Sequence, residues 1–147
     1  MKILSLSQTG TTVDSKDLIL FINRFSLAIV FFWFGFLKVI SISPAEGLVK
    51  NLYTATLSSF IEINSFVLIL GIVECLIGIM WLFPKLTKWT FALFSFHMFT
   101  TFLPLIFLTK DTWQGDWALT LTGQYIVKNV VLVACALTIY MADVKRT

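Results

Sequence analysis

The sequence predicts an all-α membrane protein: four transmembrane helices packed as an antiparallel bundle, with a short extra helix on the outer face between spans one and two. Three observations carry this. Of the 147 residues, 58% are hydrophobic and only 13% are charged, and the mean hydropathy is +0.90. The charged residues stand between long apolar runs instead of alternating within them, which is the pattern of a chain solvated by lipid. Finally, four such runs recur, each of 22 or 23 residues, enough to cross a hydrocarbon layer of about 30 Å at about 1.5 Å per residue.

Residues 1–17 read as a polar N-terminal segment on the cytoplasmic side, flexible around Thr9-Gly10-Thr11-Thr12. Span one runs from about Leu18 to Ile40; it is too long for a signal-peptide core, contains Arg24, and is not followed by a small-x-small cleavage site. After it, Ser43-Pro44-Ala45-Glu46 has the form of a capping box with proline at the first helical position. It predicts a helix over 45–56 with Leu48, Val49, Leu52 and Tyr53 on its apolar side. Glu46 and Lys50, one turn apart, suit the aqueous side. Span two follows over 61–83 and span three over 86–108, joined so closely at Pro84-Lys85 that they must form a tight hairpin. Span four covers 121–142, within a transmembrane unit of 18–142, and 143–147 reads as a cytoplasmic tail.

Lys2, Lys16, Lys85, Lys88, Lys145 and Arg146 flank one side of these spans; Lys38, Lys50 and Lys110 flank the other. This bias of six to three places both termini and the middle turn in the cytoplasm. Trp81 and Trp89 would then mark the inner boundary, with Trp113 and Trp117 at the outer one. Flanking lysines also account for the net charge of +3, so no nucleic-acid partner is implied; the expected partner is the lipid bilayer.

Ionisable groups inside spans are costly unless paired, hydrated or able to reach an interface. Glu74 and His97 lie near the middle of spans two and three, and the hairpin brings them to matching depth, so a shared hydrogen-bonded site is expected. Gly71, Glu74 and Gly78 share one face, a groove for a close neighbouring helix. On span three His97, Thr101 and Pro104 share a face, and Pro104 should loosen the bonding of the Thr100 carbonyl. On span four Gln124, Lys128, Val131, Cys135 and Thr138 form a seam, and an inward Lys128 countering Glu74 is the favoured reading. Arg24 and Lys38 are secondary candidates, for which reaching the headgroups and facing inward are equally open. Asn129 points away from Lys128 and suits an interhelical hydrogen bond. Cys75 and Cys135 lie at similar depth but read as separate buried thiols. A single histidine and no Cys-x-x-Cys pair argue against a metal site.

With these residues in hand, the chain resembles the DoxX-like family of small bacterial membrane proteins, including its YkgB-type relatives. The resemblance rests on Trp33-Phe34-Gly35-Phe36-Leu37-Lys38-Val39 leading to Ser43-Pro44-Ala45, and on Leu70-Gly71-Ile72-Val73-Glu74 with Ile77-Gly78. It continues through His97-Met98, Thr101-Phe102-Leu103-Pro104-Leu105 and Leu119-Thr120-Leu121-Thr122-Gly123-Gln124-Tyr125-Ile126-Val127-Lys128-Asn129. Phe99-Thr100 stand where the family often has glycine, and Thr122 where it often has an acid. The resemblance implies a fold in the bacterial inner membrane, and a link through some relatives to quinone-dependent sulfur oxidation or oxidative stress; it does not assign a catalysed reaction.

Three functions are compatible with this. The first is a module binding a quinone, the one cofactor admitted, or a small lipid-soluble ligand. His97, Gln124 or Lys128 would donate to a carbonyl, Phe31 would pack the ring, and Glu74 would move protons through His97. The second is a non-catalytic subunit or assembly partner, including a homodimer, with the polar groups as packing glue. The third is small-solute or proton-coupled transport.

Overall fold

The computed structural model describes residues 14–56 and 62–145. The Thr9–Thr12 stretch, Lys2, Arg146 and the expected start of span two at Ile61 lie outside them. The described residues fold into α-helices: α1 (Ser15–Val39), α2 (Glu46–Thr56), α3 (Ile63–Trp81), α4 (Thr87–Phe102), α5 (Pro104–Phe107), α6 (Thr109–Thr112), α7 (Leu121–Lys128) and α8 (Val130–Val144), with a 3₁₀ turn at Pro84–Leu86. Four stretches are long and apolar enough to cross a membrane: Ser15–Val39, Ile63–Trp81, Pro84–Phe107 and Leu121–Val144. In the bundle α1 packs on α3, α3 on α4, α4 on α8 and α8 back on α1. Its outside is a coat of exposed apolar side chains, Phe21, Trp33, Ile72, Phe96, Phe99 and Val131 among them. A surface of that kind is stable against acyl chains and not against water, so this is a multi-pass membrane protein.

Each element begins and ends for a local reason. Asp14 caps α1 by accepting the Lys16 N–H at 3.2 Å. At its other end Ser41 takes a left-handed φ of 57°, while Ile42 N–H donates to Leu37 O and Ser41 N–H to Lys38 O. This crossed pair of bonds is a Schellman stop with serine where glycine is usual. The predicted cap of α2 is present, with Ser43 Oγ accepting the Ala45 N–H at 3.3 Å. The helix starts one residue later than expected, and the Glu46 carboxylate turns to Lys50 at 2.6 Å.

The α3–α4 connection is the tight hairpin expected. Span three is not one helix, however. Pro104 has no N–H for Thr100 O, which instead accepts from Leu103 at 3.2 Å, and α4 stops at Phe102. Span four is likewise divided at Asn129, whose N–H bonds three residues back to Ile126 O at 3.1 Å. Asp143, expected in a tail, is the penultimate residue of α8.

The apolar core consists of Leu27, Ala28 and Phe31 of α1, Ile77 and Trp81 of α3, Phe94 and Met98 of α4, and Ala136 and Ile139 of α8. Trp81, the last residue of α3, is fully buried and stacks edge-on against Phe94, so its ring faces the core of the bundle and not the lipid. Among the described residues its Nε1 is the one buried side-chain polar atom without a hydrogen-bond partner.

Candidate functional site

Glycine sets the site. A methyl group on Gly35 would fall 2.7 Å from Gly71 O and from Cys75 N, and one on Gly78 would fall 2.7 Å from Phe32 N. Only hydrogen fits at these two glycines, so α1 and α3 run backbone against backbone. That approach delivers Lys38 to the face carrying Glu74.

Lys38 Nζ lies 2.5 Å from Glu74 Oε2, and His97 Nε2 lies 3.2 Å from the other oxygen, Oε1. The three side chains are 6–9% exposed. One carboxylate thus joins α1, α3 and α4 inside the bundle. Lys38 Nζ also reaches Phe34 O at 3.5 Å. Phe31 meets the His97 ring edge-on, with centroids 5.5 Å apart, and the His97 carbonyl accepts from Thr100 and Thr101 at 2.8 and 3.0 Å. Thr101 therefore braces the backbone at His97, and its hydroxyl is spent on a carbonyl.

The lysine in this cluster is Lys38, and the expectation for Lys128 is corrected. Lys128 is exposed, with its ammonium 5.1 Å from the centroid of the Tyr125 ring. Gln124 is exposed as well and donates to Leu119 O at 3.4 Å. Of the seam predicted on span four, Gln124, Lys128, Val131 and Thr138 are exposed and Cys135 is half-buried, so it does not line the cluster. Asn129 is half-buried and stands at the joint between α7 and α8. Cys75 and Cys135 are free thiols; their sulfurs lie 3.7 Å from Phe32 O and 3.6 Å from Asn23 O.

A second charged centre occupies the end of the bundle that carries the described chain ends. Arg24, 7% exposed, donates to Trp81 O at 3.2 Å, Thr87 Oγ1 at 2.8 Å and Asp143 Oδ2 at 2.5 Å. Thr87 donates to the same Asp143 oxygen at 2.6 Å. This latch ties α1 to α3, α4 and α8. Thr87 and Asp143 were not among the sequence candidates; the available signal was an acid one residue beyond the predicted span, on the side where Arg24 would emerge. Beside the latch a cleft of about 190 Å³ is lined by Asp17, Leu20, Phe21, Arg24, Phe25, Leu82, Pro84 and Asp143. A neighbouring apolar groove of about 180 Å³, formed by Ala28, Ile29, Phe32, Gly78 and Ile79, shares Phe25 and Leu82 with it.

Among the described residues no group of three or more His, Cys, Asp or Glu side chains could hold a metal ion. No family model, curated protein or solved structure matches the chain.

Proposed function

We propose that the protein is an inner-membrane binding module for an amphipathic, lipid-soluble ligand of the quinone class, with its termini in the cytoplasm, and that it is a DoxX-like protein. The observation that carries the ligand reading is the pairing of an arginine-lined cleft with an apolar groove. A guanidinium has five N–H donors, and Arg24 makes three hydrogen bonds. Its NH2 atom is held by Thr87 and Asp143 and its NH1 atom by the Trp81 carbonyl, so the guanidinium is fixed at the cleft, where it would meet an acceptor oxygen of a ligand. A quinone carbonyl is such an acceptor, and a neutral one, so it does not compete with Asp143 for the charge. Phe21 and Phe25, stacked with centroids 6.0 Å apart, offer an aromatic edge for a ring. The groove past Ala28, Ile29 and Gly78 offers an apolar track for a tail. The ligand site is thereby moved from His97 and Lys128, where the sequence suggested it, to Arg24.

Titration of the protein in lipid nanodiscs with a short-tailed quinone analogue tests this. Ile29→Trp fills the groove without touching the latch and should weaken binding by about tenfold, a change of about 1.4 kcal/mol. Absence of binding by the parent protein defeats the ligand reading; binding that Ile29→Trp leaves unchanged defeats its placement.

A further inference from the structure

Lys38, Glu74 and His97 take no part in the cleft. The separation of Arg24 and Lys38 by 14 residues of α1 puts the two centres about 21 Å apart along the helix. Three groups that bind protons meet there in series, through the two oxygens of one carboxylate. Among the described residues no other charged side chain is in an ion pair with them. The neighbouring titratable group on α3 is Cys75, whose sulfur is directed to Phe32 O. On α1 the next charge is Arg24, held by Asp143. On α8 Cys135 is directed to Asn23 O, and Tyr140 stacks on Phe91. Tyr53 of α2 packs on Phe66, and α5 has no titratable side chain. The exposed Lys128 belongs to α7.

We infer that this cluster is a proton-transfer site, passing a proton between Lys38 and His97 through Glu74 with no change in its net charge. In a medium of low dielectric an uncompensated charge is costly, so the arrangements that matter are those summing to zero. There are three of them. In the first, Lys38 is an ammonium, Glu74 a carboxylate and His97 neutral. The ammonium then gives a proton along Nζ–H···Oε2, leaving an amine and a carboxylic acid. Rotation of the carboxyl group, which is uncharged at that moment, carries the hydroxyl to the imidazole. There it protonates Nε2 of the Nδ1–H tautomer, giving a carboxylate beside an imidazolium. Water takes the Nδ1 proton of the imidazolium as water also protonates the Lys38 amine, so that one proton leaves as one enters and the cluster stays neutral. The Nε2–H imidazole left behind regains its Nδ1–H form by proton exchange with water. His97 is the outlet because imidazole is the one member whose ordinary proton affinity lies near neutral pH.

The experiment is exchange of the Lys38 ammonium protons with deuterated solvent, followed by NMR on lysine-labelled protein in lipid bilayers. His97→Phe keeps the aromatic packing against Phe31 and leaves the Lys38–Glu74 pair in place. It should slow exchange by about a hundredfold, the lower range of what a positioned acid–base group supplies. Exchange that is unchanged or faster overturns the proposal, because a plain ion pair with a bystanding histidine predicts that result. Should His97→Phe fail to fold, Lys38→Met decides instead. Nitrogen-15 shifts of His97 at neutral pH should then report an imidazolium balancing Glu74; a neutral imidazole beside a protonated Glu74 overturns the proposal equally.

Discussion

The bundle holds two charged centres of similar composition placed in different solvents. In the latch, Arg24 and Asp143 are 8% and 22% exposed at the side chain; in the core cluster, Lys38 and Glu74 are 6% and 8% exposed. The direction of the helix explains why both cations of α1 behave as they do. Side chains on a helix lean toward its N-terminus. From Arg24 that direction leads to the nearby end of the bundle, where Thr87, Asp143 and water can meet it. From Lys38, near the C-terminal end of the same helix, it leads back into the bundle and onto Glu74. One is a snorkelling cation that has found a partner; the other cannot leave.

The largest effect should come from Glu74→Leu, which removes the carboxylate and strands both Lys38 and His97. Breaking a buried pair in this way costs about 3–5 kcal/mol, measured as loss of stability in detergent unfolding. A cost no greater than that of the latch variant would erase the distinction between the centres. Arg24→Met should cost about 1.5–3 kcal/mol, the range for hydrogen bonds to a charged group, because water can satisfy Asp143 and Thr87 in its absence. Salt sharpens the comparison: raising ionic strength from about 0.1 M to about 1 M shortens the screening length from about 10 Å to about 3 Å. The cost of Arg24→Met should shrink across that range and the cost of Glu74→Leu should not. The smallest effect is a gain. Ser41→Gly relieves the left-handed residue that ends α1 just beyond Lys38 and should stabilise by up to about 1 kcal/mol, seen as a higher midpoint in the same unfolding assay.

Much of this architecture is legible in the residues alone. The four apolar runs, the Pro84 hairpin, the Ser43 cap and the glycine face of span two follow from length, periodicity and turn chemistry. The contact of Glu74 with His97 follows from their similar distances to that hairpin. The choice between Lys38 and Lys128 needed one further argument, the lean of a side chain along its helix. Span four runs opposite to span one, so Lys128, near the N-terminal end of that span, leans away from the bundle centre, as Lys38 leans toward it. The break at Asn129 was hidden because no proline or glycine marks it. Asp143 was hidden because it lies beyond the apolar run that defined the span, and hydropathy sees only where lipid begins.

The spacing of the two centres along the chain has a consequence for how the protein enters the membrane. Lys38 and Glu74 are 36 residues apart, whereas Arg24 waits 119 residues for Asp143. Emerging from the ribosome, α1 and α3 can enter the bilayer as a neutral pair once the second span is made, and His97 joins when the hairpin closes. The latch has no acid until the last span is synthesised. Along the chain, both partners of the Lys38–Glu74 pair are therefore in place after the second span, whereas the latch is complete only with the last.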